Sequence, residues 1–280
     1  MPTILEGTEH YVDRPDGKVY YVKTGKGKAV IFLHSAGYNA ESWANVVPDF
    51  AKHFTCISVD LPGYDHSDAP QRKPTVEDFA QAIVDLMNHA GIKKAILVGD
   101  HTGAIVAMHI AVTRPQLVDK IVCDGLPYWN KESGRIVFER FMMRGYTDTT
   151  SFAVPVVPIR NWEDYQKHNP EATREGYEKY ARLLKKCRLS WRYTHEAVFD
   201  YDMQEVGPKV TQPVLVVFGT GDYVRRGEDK MREEMKNARI EVVPSTGTSA
   251  HCDYRYWPEV RPVHPAEFIS LALNFLLDRK

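Results

Sequence analysis

The chain is 280 residues long, with 43% hydrophobic and 26% charged residues, ordinary values for a folded protein and far from the composition of a disordered one. Its 36 Lys and Arg against 37 Asp and Glu give a net charge of -1, so no global field draws it to nucleic acid or to an anionic membrane. No run approaches the ~18–20 apolar residues of a membrane span. The first residues lack the basic-then-apolar pattern of a secretory signal, and Cys56, Cys123, Cys187 and Cys252 form no CxxC pair. A reducing, cytoplasmic setting is expected.

Taken in chain order, HYVDRPDGKVYYVKTG (10–25) reads as a hairpin turning at Asp16-Gly17. Six short runs rich in Val and Ile then follow: 28–34, 55–60, 93–100, 120–125, 213–219 and 238–244. Each is apolar throughout, as strands covered on both faces should be. Segments of helical period alternate with them at 40–53, 76–90, 103–113, 225–236 and 265–278. In the second of these, Thr75 is the cap, Asp78 its partner three residues on, and Gly91 the stop. This alternation predicts an α/β fold with a mostly parallel sheet. From 126 to 208 the strand rhythm gives way to a helical, aromatic stretch with intermixed charges. It is expected as a helical cap inserted after the sixth strand, with 1–125 and 209–280 forming the core.

Chemistry-bearing residues follow the strands. V-G-D-H-T-G-A (98–104) joins a strand to a helix, and Gly99 and Gly103 suit a sharp strand–turn–helix that pushes the residue between them, His101, out at the top of the sheet. This is the geometry of a nucleophile elbow, G-x-Ser-x-G, with His where Ser is expected. F-L-H-S-A-G (32–37) offers the Ala36 N–H, which with that of Thr102 could face a developing oxyanion. Asp222 stands just past one strand in F-G-T-G-D-Y-V and His251 past the last.

Over nearly its whole length, through FLHSAG, VDLPGYDHSD (59–68), VGDHTGA, FGTGD and HPAEFISLALNFL, the chain resembles the α/β-hydrolase superfamily. It looks most like members with a helical cap, such as haloacetate dehalogenases, epoxide hydrolases, C–C bond hydrolases and lactonases. The resemblance implies a site of His101, Asp222 and His251, in the order elbow residue, acid, histidine. Asp124 in V-C-D-G-L-P is the alternative acid, where lactonases and cofactor-free dioxygenases of this fold look to keep theirs. His264, beside Pro265, suits a helix cap.

His101 is neither the alcohol of a serine hydrolase nor the carboxylate of a dehalogenase. Asp100, one step away, should point aside in this register. A helix N-terminus disfavours imidazolium, so His101 is expected as a neutral base or hydrogen-bond donor. His34, Ser35, Tyr128 and Trp129 are placed around the substrate, with His34 also readable as a brace of its loop. Convergence of His34, His101 and His251 would suit zinc, but no short metal signature supports it, and neither metal nor cofactor is expected. The leading expectation is a cofactor-free enzyme hydrolysing an ester, a lactone or a C–C bond next to a carbonyl in a small apolar or aromatic substrate, by histidine base catalysis. A lyase, decarboxylase or cofactor-independent oxygenase, or a catalytically silent ligand-binding protein, would fill the same pocket.

Overall fold

The computed structural model describes residues 5–142, 152–154, 157–159, 162–163, 166, 173–244 and 265–279. The chain opens with the hairpin β1 (Thr8–Val12) and β2 (Val19–Gly25), turning where Gly17, at φ +109, donates its N–H to the Arg14 carbonyl at 3.1 Å. The core strands follow as β3 (Ala29–Leu33), β4 (Thr55–Val59), β5 (Ala95–Asp100) and β6 (Val118–Asp124). A small antiparallel pair, β7 (Phe152–Val154) and β8 (Val157–Ile159), precedes β9 (Val214–Gly219) and β10 (Ala238–Val243). Eight strands form one sheet in the order β1-β2-β4-β3-β5-β6-β9-β10. Pairing is antiparallel from β1 to β4 and parallel from β4 to β10.

Helices cover both faces, which is why the strands are apolar in every position. On one face Ile31, Leu33, Leu97, Ile121 and Val216 pack beneath α2 (Val76–His89) and α3 (Thr102–Thr113). On the other, Val30, Phe32, Val98, Val122 and Val217 meet Trp43, Phe50 and the C-terminal helix through Phe268 and Leu276. Helix α3 is buried along almost its whole length, as befits a helix with no polar face. The box at α2 is reciprocal: Thr75 Oγ1 accepts from the Asp78 N–H at 3.3 Å and Asp78 Oδ2 from the Thr75 N–H at 2.8 Å.

Two expectations need correcting. Residues 40–53 are not one helix but a 3-10 turn, Ala40–Trp43, and the short α1 (Val47–Phe50), because Pro48 lacks the N–H a continuous helix would need. The stretch 126–208 is not wholly helical either. It holds α4 (Lys131–Met142), α5 (Arg174–Lys186), α6 (Arg188–Phe199) and α7 (Met203–Val206), but also the β7–β8 hairpin. There F-A-V and V-P-I are three-residue runs, too short to show a period, and prolines are tolerated at such edges. After β9 come α8 (Glu228–Glu234) and, at the end, α9 (Ala266–Leu276). No helix among the described residues is long and apolar enough to cross a membrane.

Candidate active site

The parallel register lines up the carboxyl ends of the central strands. Leu33 stands opposite Gly99, and Asp100 opposite Asp124, which in turn faces Val217. Whatever follows β3, β5, β6 and β9 therefore meets at one rim, where open α/β sheets place their ligands.

At the end of β5 the chain bends sharply. His101 takes φ 42 and ψ −94, a left-handed conformation that is strained for a residue with a side chain. Its N–H donates to the Asp124 carbonyl at 3.1 Å, while its own carbonyl accepts from Ile105 N at 3.1 Å and starts α3. The bend is possible because its flanks are glycines. A Cβ on Gly99 would lie 2.3 Å from the Gly103 carbonyl carbon, and one on Gly103 would lie 2.1 Å from the Leu33 oxygen.

His101 Nε2 donates to Asp222 Oδ2 at 3.1 Å, both residues being buried. Asp222 is fixed in turn, since its Oδ1 accepts from the Val224 N–H at 3.0 Å. Tyr223 meets the imidazole edge-on, with ring centroids 5.5 Å apart. Burial opposes charge on His101, yet the carboxylates of Asp222, Asp100 and Asp124 outweigh it and raise the imidazole to about 9. The expected neutral ring is therefore corrected to an imidazolium at neutral pH. Three acids act where the sequence reading weighed only the helix dipole. Burial and the neighbouring Asp222 and Asp100 push the Tyr223 phenol well above its ordinary range.

The acid expected to orient His251 thus holds the elbow histidine itself. His251 and His264 lie outside the described residues. Asp124, the alternative acid, is fully buried at the end of β6 and contributes charge to His101. The Ala36 N–H donates to Thr102 Oγ1 at 3.3 Å, so the two loops expected to frame an oxyanion are in contact.

The four residues placed around the substrate each have partners in the frame. His34 Nδ1 donates to the Ser35 carbonyl at 2.7 Å and Nε2 accepts from the Leu61 N–H at 2.9 Å, so both nitrogens brace the loop. Its burial keeps the ring neutral by pushing its pKa down, and a zinc site through His34 would need one of those bonds broken. Ser35 also accepts the Tyr38 N–H at 3.2 Å through its carbonyl. Tyr128 donates to Glu234 Oε2 at 2.7 Å. Trp129 stacks on Phe199 at 4.9 Å and 7°, which ties α6 to the end of β6. Among the described residues, the group whose donor atoms could share an ion is Asp60, Asp65 and His66. There Asp60 already accepts from Ala40 N at 2.7 Å and from His66 Nδ1 at 3.0 Å, as a loop brace does.

Two contributors escaped the sequence reading. Gly125, at φ +64, leaves room for the pair: a Cβ there would lie 2.4 Å from Asp222 Oδ2 and 2.6 Å from His101 Nε2. His195, on α6, is held by Trp191 and lowered to about 4, chiefly by burial and also by the charge of His101. The glycine of C-D-G-L-P was the only visible signal for the first; an isolated histidine on an amphipathic helix gave none for the second. A cleft of about 850 Å³ lies between α2, α4 and α6, lined by Glu77, His109, Arg135, Phe138 and Phe199, but neither His101 nor Asp222 borders it.

Comparison with known proteins agrees with this architecture. An epoxide hydrolase of Caenorhabditis elegans is 24% identical over 79% of the chain, and the match spans 60% of that protein. A 2-hydroxy-6-oxo-6-(2'-aminophenyl)hexa-2,4-dienoic acid hydrolase of Metapseudomonas resinovorans is 26% identical over 97% of the chain and 91% of its own length. The crystal structure of a hydrolase from Pseudomonas aeruginosa superposes with a TM-score of 0.73 at 17% identity, covering 97% of this chain and 99% of that one. Residues 28–247 match the profile of the alpha/beta hydrolase fold, and so, by its sheet, its elbow and its sequence alike, the chain belongs to the alpha/beta hydrolase fold family.

Proposed function

We propose that the chain is a hydrolase of a small apolar or aromatic ester, lactone or C–C bond adjacent to a carbonyl, working without a bound cofactor and without an acyl-serine. The observation that carries this reading is the buried His101–Asp222 pair at the elbow, 3.1 Å apart. An imidazolium there cannot act as a base at neutral pH, but it is a strong donor toward a carbonyl oxygen that gains charge. The amides of Ala36 and Thr102 stand beside it for the same oxygen, on rotation of the Thr102 hydroxyl away from Ala36.

The nucleophile is then water. A neutral imidazole takes its proton, the carbonyl π pair moves to the oxygen held by His101, and collapse expels the leaving group, which recovers that proton. Water and substrate yield an acid and an alcohol, or an acid and a C–H product. Chain order offers His251 as the neutral base. Residues 126–208 act as a cap that excludes solvent, and the buried thiols Cys56, Cys123 and Cys187 support a cytoplasmic location.

The test is turnover of p-nitrophenyl acetate and a panel of short lactones in ¹⁸O water. Wild-type protein incorporates solvent oxygen, resists labelling by a fluorophosphonate, and loses at least ~100-fold in kcat/KM on His101→Gln. Fluorophosphonate labelling that stops turnover, or full activity of His101→Gln, would overturn the reading. Products formed without solvent oxygen would favour the lyase, decarboxylase or oxygenase reading, which the want of an elbow nucleophile supports. Tight binding of a small molecule without turnover would mark a silent receptor.

A further inference from the structure

Helix α6 packs on α2, α3 and α4, and Trp191, Thr194 and Val198 are buried along it at helical spacing. Besides those helices it touches one core loop, the turn after β4. Tyr64 and Thr194 are both fully buried, and the Tyr64 hydroxyl donates to Thr194 Oγ1 at 2.9 Å across 130 positions of sequence. One residue earlier, Gly63 takes φ +87, and a Cβ there would lie 2.2 Å from Ser190 Oγ. Ser190 and Thr194 stand one turn apart on the same side of α6, so two neighbours on the helix meet two neighbours in the loop.

That loop is tied to the one carrying Ala36. His34 Nε2 accepts the Leu61 N–H at 2.9 Å, and the His34 ring meets the Tyr64 ring edge-on, with centroids 4.9 Å apart and planes at 74°. Because Nε2 is an acceptor, Nδ1 carries the proton, which it donates to the Ser35 carbonyl at 2.7 Å. The next residue is Ala36, whose N–H reaches Thr102 Oγ1 at 3.3 Å. His34 is fully buried, and a close-packed interior leaves little slack to absorb the shift of a neighbouring ring. Thr194, Tyr64, His34 and the Ala36 amide thus form one contiguous path from α6 to the elbow helix. Each link in it is a hydrogen bond, a ring contact or a peptide bond.

We propose that Tyr64 is a positioning residue: it transmits the seating of α6, through His34, to the Ala36 N–H offered to the oxyanion. This rests on the hydrolase reading above, which gives that N–H its part in the reaction. Coupling of this kind travels through packed rings and hydrogen bonds that touch without a gap. His101 and Asp222 keep their places with or without the Tyr64–Thr194 bond; what the bond sets is a second donor to the same oxygen. Outright loss of one such donor costs ~10²–10³ in kcat. Loss of the Tyr64 bond displaces the donor rather than removing it, so a smaller fall is expected. The donor matters most once the oxygen carries charge, so the fall is in kcat and not in KM.

Two measurements on the full chain test this. The first needs no substrate: amide NMR spectra of wild type, Tyr64→Phe and Thr194→Val. Either change should shift the Ala36 N–H resonance while the amides of β10, at the far edge of the sheet, stay in place. Thr194→Ser, which keeps the acceptor, should return the resonance toward its wild-type position. An Ala36 resonance that Thr194→Val leaves unmoved would overturn the proposal, because the seating of α6 would then not reach the loop. The second uses p-nitrophenyl acetate. Tyr64→Phe and Thr194→Val should each lower kcat by at least ~10-fold with little change in KM, and Thr194→Ser should recover most of the loss. The double variant should be no slower than either single one, since both break the same bond. Smaller losses, or losses that multiply in the double variant, would overturn the proposal. If the Ala36 resonance responds but wild-type protein hydrolyses none of the esters and lactones, the hydrolase reading fails while the path from α6 to Ala36 stands.

Discussion

Substitution of Gly125 by alanine probes the site without touching either partner of its ion pair. A methyl group there would stand 2.4 Å from Asp222 Oδ2, 2.5 Å from His101 Cδ2 and 2.6 Å from His101 Nε2, well inside van der Waals contact. The backbone cannot yield, because Gly125 N donates to the Val217 carbonyl at 2.8 Å and β6 is paired with β9. The pair must therefore separate. Against the effect of burial, Asp222, Asp100 and Asp124 together raise His101 to about 9 from the 6.5 of a free imidazole, so separating the pair removes at most ~3 kcal/mol of stability. Because the folded-state value is raised, this contribution is complete below pH 6.5 and is lost as pH rises through 9. The left-handed backbone adds about 1–2 kcal/mol at any pH, since alanine there meets the following carbonyl. Gly125→Ala should thus be destabilised by up to ~4–5 kcal/mol at pH 6 but only ~1–2 kcal/mol at pH 10. Urea unfolding of both proteins at the two pH values measures this, and NMR follows the His101 titration. An equal deficit at both pH values, with His101 still titrating near 9 in the folded variant, would refute the reasoning.

Asp222→Asn keeps an oxygen for the Val224 N–H but removes the charge, so burial should dominate and the His101 titration should fall below 9; kcat/KM for p-nitrophenyl acetate should drop ~10²–10⁴-fold, and an unchanged titration would refute the pairing. Gly103→Ala drives a methyl to 2.1 Å from the Leu33 carbonyl and should cost at least ~3 kcal/mol in a urea melt, as overpacking of a fixed backbone does. Tyr64→Phe removes the donor to Thr194 and should cost about 1 kcal/mol; a variant as stable as wild type in urea would show that this contact does not hold α6 down.

The sheet was legible because its strands are covered on both faces, so runs such as VLVVFG (214–219) stand out without a periodic signal. The elbow was legible for a local reason, two glycines around one residue. The protonation of His101 was not. Of the three acids that decide it, Asp100 adjoins His101 in sequence, but Asp222 and Asp124 lie 121 and 23 positions away and reach it only because β9 and β6 end beside β5. Gly125 looked like an ordinary turn residue for the same reason: its need for an absent side chain depends on where two distant groups come to rest. His34 was legible both ways, and only the bonds at its two nitrogens decide for the brace.

The chain leaves the sheet at Asp124 and re-enters it at Val214, on the very next strand, with Asp124 facing Val217. Departure and return are thus neighbouring doors in one wall. His101 and Asp222 lie on the permanent side of that wall, so the passage between the doors can be lengthened, shortened or exchanged by mutation while the chemistry stays put.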